Sequence, residues 1–347
     1  MTPTPTRTVV AGVAAFGLAV IALLTWSKWA PYLLRTEELS ASGAWSGSSL
    51  LATAGVEAGS GPSLAAGWAF TVAYGTAVWK AVVAGLVIAA GIQSLVPRGA
   101  LLRLLRRGPW GSAARGGLVA TPSMMCSCCT APVANALQRS GVPTAGVVAY
   151  WLGNPLLNPA VLVFMLLVAP WQWAAVRLVV GVVLVVGGAV LVARLTRRRS
   201  PPGALAAVGA DAQGPSHRGF FATLVRTALV IVPEYLVVVF VVGVFSGWLF
   251  PLGESARSWG VLALLVAVVL GTLMVIPTAG EIPFAQGLAV AGFGPAVVGA
   301  LLIVLPAVSV PSAVMTGRAL GWRVVGLTML VVGAGGLLAG ALLALTT

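Results

Sequence analysis

The three cysteines of the chain, Cys126, Cys128 and Cys129, fall within four consecutive residues of an apolar run. A disulfide staple needs separated partners, and a zinc knuckle needs a second ligand pair. The one histidine, His217, stands far along the chain in a polar stretch, so a tetrahedral site would have to recruit carboxylates or a second copy of the chain. A single buried cysteine commonly packs as a small hydrophobe. Three thiols in four residues, bracketed by Pro122 and Pro132, argue for chemistry instead. Thiolates favour soft, thiophilic species such as Cu(I), Zn(II) or trivalent arsenic over Mg or Ca. Positions i and i+2 lie on different helix faces, so Cys126 and Cys128 can meet at one atom only where the backbone leaves the helix. The two prolines predict that break, and a half-helix starting near Thr130 to Asn135 would turn its positive dipole end toward the thiols.

The elements that must hold these thiols are membrane helices. Hydrophobic residues make up 59% of the 347 positions, charged residues only 8%, and mean hydropathy is +1.03, which is the composition of a polytopic all-α membrane protein. At about 20 apolar residues per crossing, spans are predicted at Val9 to Thr25, Gly67 to Val96, Thr144 to Val168, Trp173 to Ala193, Thr223 to Leu249, Pro295 to Met315 and Val324 to Leu345. The first reads as a retained span, since no small-residue cleavage site follows a short apolar core. Two further stretches, Ser112 to Ser140 and Ser258 to Gly292, are interrupted by Thr121-Pro122 through Pro132 and by Pro277 through Pro283. Each reads as a re-entrant hairpin.

A formal charge of +13 would suggest a nucleic-acid partner in a soluble domain, but here it is concentrated between apolar spans. Arg98, Arg103, Arg106, Arg107 and Arg115 form one group; Arg194, Arg197, Arg198, Arg199, Arg218 and Arg226 a second; Arg318 and Arg323 a third. Such clusters mark the cytoplasmic side. With the N-terminus inside, Lys28 to Ser63 as an outer segment and both hairpins re-entrant, all three groups fall inside and the C-terminus outside, in a cell inner membrane. The expected partners are the bilayer and a small-molecule or ion substrate; no nucleic acid is expected, and the oligomeric state is not legible.

The same scheme predicts an inverted repeat. Pro132 and Pro283 are 151 positions apart, and this offset also pairs Ala134 with Ala285, Leu137 with Leu288, Gly141 with Gly292 and Pro155 with Pro306. It divides the chain into an N-terminal span and outer segment (1–65), repeat one with the cysteine hairpin 112–140 (66–200), a cytoplasmic linker (201–218) and repeat two with hairpin 258–292 (219–347). Broken helices in inverted repeats are a transporter device, because unwound backbone at mid-membrane is tolerated where it lines a cavity or is buried in protein. The hairpin tips, Met124 to Pro132 and Ile276 to Pro283, are therefore the expected substrate site. Cys126 then maps onto Pro277 and Thr130 onto Glu281, so one tip presents sulfur and the other a carboxylate.

Charges inside spans are functional by default. Lys80 and Glu234 lie midway along equivalent spans and read as a buried ion pair or as facing charges near the pseudo-axis. Glu281 reads as a proton carrier or a counter-charge beside the thiols. Ser127 and Thr130 complete the cysteine tip, and Asn154 and Asn158, beside Pro155 and Pro159, either bridge helices or face the path. Arg177 is expected to snorkel to the outer surface. Trp171, Trp173, Trp248 and Trp259 are expected to anchor span ends, and Leu101 to Arg107 to lie along the inner surface. Nothing resembles a nucleotide-binding loop, and no cofactor is expected.

Thr121-Pro122 through Cys126-Ser127-Cys128, then Pro132, Gly141-Val142-Pro143 and Asn154-Pro155-Leu156-Leu157-Asn158-Pro159, resemble the ArsP type of predicted permeases. Gly280-Glu281-Ile282-Pro283, Leu305-Pro306 and Ser309 to Pro311 extend the resemblance, which runs from about Val78 to Thr347. It implies efflux of trivalent organoarsenicals, or of soft metal ions, with Cys126 and Cys128 as thiol ligands. Cys129 departs from the family pattern and would make a three-sulfur site for As(III) or a metal ion. Two other readings keep the same residues: a membrane thiol oxidoreductase using Cys126 and Cys129, and an importer of a small sulfur compound.

Overall fold

The computed structural model describes residues 7–45, 55, 60–105, 107–196, 217–249 and 259–347. Ala204 to Ser216 and Pro251 to Arg257 lie outside them. The described residues are helical throughout, with no strand among them. The helices are α1 (Arg7–Leu24), α2 (Ala30–Ser42), α3 (Leu64–Ser94), α4 (Arg98–Leu105), α5 (Gly108–Ala120), α6 (Ser127–Arg139), α7 (Thr144–Leu156), α8 (Pro159–Val168), α9 (Trp171–Val182) and α10 (Ala189–Leu195). They continue with α11 (His217–Val244), α12 (Ser246–Leu249), α13 (Val261–Leu273), α14 (Glu281–Val290), α15 (Pro295–Ala307), α16 (Val310–Leu320) and α17 (Trp322–Thr346). Wider π-turns, Thr25–Trp29 and Val183–Gly188, join α1 to α2 and α9 to α10.

Among the described residues, six continuous stretches are long and apolar enough to cross a bilayer: Gly12–Ser42, Leu64–Ser94, Thr144–Val168, Trp171–Leu195, Gly219–Val244 and Trp322–Thr346. A seventh forms if α15 and α16, bent by 49°, are one span. Each overlaps one of the seven expected spans. Their outer faces are apolar, with Leu18, Trp68, Val179, Leu229 and Leu330 exposed, as a lipid-facing surface requires. This is a multi-pass membrane protein.

The helix boundaries repeat at the offset found in the sequence. Thr144–Leu156 and Pro295–Ala307 are 151 positions apart at both ends, as are Trp171–Leu195 and Trp322–Thr346. The break after α7 is capped by Asn158, whose side chain accepts from the amides of Ala160 and Val161. The break after α15 is capped by Ser309, 151 positions on, in a capping box with Ser312. Proline is tolerated in the first turn of the helix that follows each break.

The N-terminal region departs from expectation. The helix does not give way to a loop at Lys28: it continues through the π-turn to Ser42, with Pro31 directly after the wider turn. Of the expected anchors, Trp171 and Trp259 are exposed while Trp173 is buried. The expected surface segment after Pro97 is the helix α4, with Leu101 and Leu105 buried beneath its basic face.

Candidate functional site: a buried thiol cluster between two helix breaks

The first break follows Thr121–Ser123, a single 3₁₀ turn. Met124 then takes a left-handed conformation, φ 49°, and Cys126 is extended, φ −74° and ψ 165°, immediately before α6. These non-helical residues, Met124 to Cys126, are the break that convergence of the thiols demands. The Cys126 sulfur folds back over the first turn of α6, 3.1 Å from the sulfur of Cys128 and 2.8 Å from that of Cys129. All three sulfurs lie within 4.8 Å of one another, and all three thiols are free and buried. Sulfurs sharing one atom at about 2.3 Å each are separated by at most about 4.6 Å, and the two separations from Cys126, 3.1 and 2.8 Å, fall inside that limit. The helix starts at Ser127, earlier than Thr130 to Asn135, which puts Cys128 and Cys129 inside its positive first turn.

Close packing holds the cluster. A Cβ on Gly85 of α3 would stand 2.5 Å from the Cys129 carbonyl oxygen, so only glycine lets α3 lie this near. From α3 the Tyr74 hydroxyl reaches the Cys128 sulfur at 3.2 Å, and from α11 the Tyr235 hydroxyl reaches it at 3.8 Å. The Ser127 hydroxyl meets the Ser309 hydroxyl at 3.3 Å, bringing the capped break of the second half against the thiol turn. Thr130 turns its hydroxyl back to the carbonyls of Cys126 and Ser127, so it closes the helix turn and does not face the thiols.

Asn154 and Asn158 clamp the break. The Asn154 side-chain oxygen accepts from the Ser123 hydroxyl and from the Met125 amide, and its amide group donates to the Tyr150 carbonyl. The Asn158 amide group donates to the Met124 carbonyl at 3.2 Å. Both are fully buried, and each ties the unwound segment to the end of α7 or the start of α8.

The charged residues are arranged differently from expectation. Glu281 opens α14 but turns to Arg177, with 2.7 Å between Oε1 and the guanidinium, both groups buried. Arg177 also donates to the carbonyls of Pro155 and Leu156, so it does not snorkel: it ties the second tip to the end of α7. Lys80 and Glu234 do not pair. Glu234 meets Arg318 at 3.5 Å, while Lys80 is exposed, its ammonium over the rings of Trp26 and Trp79. The reason is register, since the repeat counterpart of Lys80 is Ile231 and Glu234 is three residues further round its helix.

Lys28, Tyr32, Tyr74, Tyr235 and Arg177 are the site-forming residues that sequence reasoning missed. Lys28 is 8% exposed and donates to the hydroxyls of Tyr32 and Thr278, each at 3.2 Å. Tyr32 reaches the Met124 carbonyl, and Trp29 donates to the Pro122 carbonyl at 2.8 Å. The N-terminal helix thus touches both tips. A lysine inside a span was the available signal.

Long apolar helices, broken at mid-length around a buried polar and sulfur-lined centre, define a membrane permease. The chain belongs to the ArsP_1 family, described as a predicted permease, whose profile matches residues 64–345. It is 40% identical over 338 residues to UPF0718 protein YraQ of Escherichia coli (strain K12), covering 95% of this chain and 94% of that protein. No solved structure matches the chain.

Proposed function

We propose that this permease exports a thiophilic substrate, a trivalent organoarsenical or a soft metal or metalloid ion, through the site formed by Cys126, Cys128 and Cys129. The convergence of three buried free thiols at a helix break carries the reading. Thiols of this number and spacing suit a pyramidal As(III) centre or a soft cation. Helix boundaries that recur at 151 positions support two repeats of inverted topology, with alternating access moving the substrate past the tips. The test is uptake into everted membrane vesicles of methylarsenite, arsenite, Cu(I) and Zn(II). At least one should accumulate, with uptake falling more than about ten-fold in Cys126→Ser and in Cys128→Ser. If no substrate depends on either cysteine, the reading fails.

A second reading draws on the 2.8 Å approach of Cys126 to Cys129, which places a Cys-x-x-Cys pair within reach of a disulfide. A thiol oxidoreductase should yield a reversible internal disulfide in mass-spectrometric thiol counting. A ligand site should keep three thiols that arsenite or a metal ion protects.

A further inference from the structure

Beside the thiol cluster lies a cleft of about 250 Å³ bounded by the N-terminal helix, the middle of α3 and the second tip. Its lining includes Lys28, Lys80, Ser27, Tyr32, Thr76 and Thr278: two ammonium groups and four hydroxyls, with no acidic residue. Lys28 is held by neutral oxygens alone, and among the described residues no carboxylate lies within ion-pair distance of either lysine. The Ser27 hydroxyl, 8% exposed, has no hydrogen-bond partner.

A buried ammonium without a counter-charge is costly, and within a membrane span it marks a binding function. Lys28 and Lys80 line the same space, Lys28 buried and bonded to Thr278 of the second tip, Lys80 exposed over Trp26 and Trp79. An anion in the cleft would give Lys28 a counter-charge, and the unpartnered Ser27 hydroxyl lines that space as a donor for it.

We propose that the cleft is an anion subsite, and that the substrate carries a carboxylate or similar oxyanion in addition to its thiophilic atom. The thiols take the soft centre, while Lys28, Lys80 and Ser27 take the charged end. At about 250 Å³ the cleft suits a small organic anion and excludes a drug-sized one. This builds on the thiol site proposed above and narrows its substrate class.

The test is equilibrium binding to the purified full-length protein of three probes: phenylarsine oxide, its 4-carboxy analogue, and benzoate. The carboxylated arsenical should bind at least about ten-fold more tightly than the neutral one. Lys28→Gln and Lys80→Gln should weaken it about ten-fold more than they weaken the neutral compound, and Lys28→Arg should restore the preference. Equal, cysteine-dependent affinity for both arsenicals would overturn the anion subsite and leave the thiol site standing. Lysine-dependent binding of benzoate with no binding of either arsenical would uphold the anion subsite and remove the thiol site. Absence of all binding would remove both.

Discussion

At Met124 and at Ala279 the chain turns through left-handed backbone, φ 49° and 72°, with a side chain on the turning residue, and around these two points the repeats diverge. Such a conformation costs about 1–3 kcal/mol and persists only where the surroundings impose it. Around Met124 the imposing groups are neutral: Asn154, Asn158, Tyr32 and the Trp29 indole all bond to the segment 122–125. Around Ala279 they include charge, since the next helix opens with Glu281, locked to Arg177. One break therefore gathers three buried free thiols, while the other holds its carboxylate in an ion pair with Arg177. Helix boundaries that recur at 151 positions place the two chain breaks alike, yet the side chains that fill them differ in chemistry.

Arg177→Ala should break the comparison most severely. It leaves Glu281 buried and unpaired, and the expected loss is about 3–5 kcal/mol, read as a large drop in melting temperature in detergent. Removing both charges, in Arg177→Met with Glu281→Leu, should recover much of that loss. Gly85→Ala should act on the cysteine tip alone. Its Cβ would push the Cys129 carbonyl, costing about 1–3 kcal/mol and speeding maleimide labelling of the thiols, while the Arg177–Glu281 pair is untouched. If labelling of Gly85→Ala matches wild type, the close packing is not what shields the thiols.

The capping residues sharpen the contrast. Asn158→Ala removes a helix cap and the bond to Met124, whereas Ser309→Ala at the equivalent position removes the cap and a weaker hydroxyl contact. The expected costs are about 2 and about 1 kcal/mol, and equal melting shifts would deny Asn158 its second role. Glu234→Gln should matter least, at no more than about 1 kcal/mol, because Arg318 is 66% exposed and the ion pair is 3.5 Å long.

The spans and the breaks were legible because hydropathy and proline act locally. Pro122 and Pro277 stand at the two breaks, whereas helices run through Pro132 and Pro155, where a break was expected only at the first; the spacing of two proline pairs gave the offset of 151. The partners of charged residues were not legible. A lone arginine in an apolar helix has the same sequence signature whether it reaches lipid headgroups or, like Arg177, a carboxylate 104 positions away. Lys28 was missed because the first span was expected to end at Thr25, whereas the helix runs on to Ser42 and carries Lys28 to Thr278. The Lys80–Glu234 pairing failed because equivalent spans do not imply equal register.

The N-terminal helix lies wholly before residue 64, where the family match begins, yet it reaches both breaks through Lys28, Trp29 and Tyr32. The helix thus stands outside the family profile, although the similarity to YraQ, over 95% of the chain, extends into it. If Lys28 helps to choose the ligand, two permeases alike throughout the shared region can differ in cargo through a segment that comparison of that region never sees.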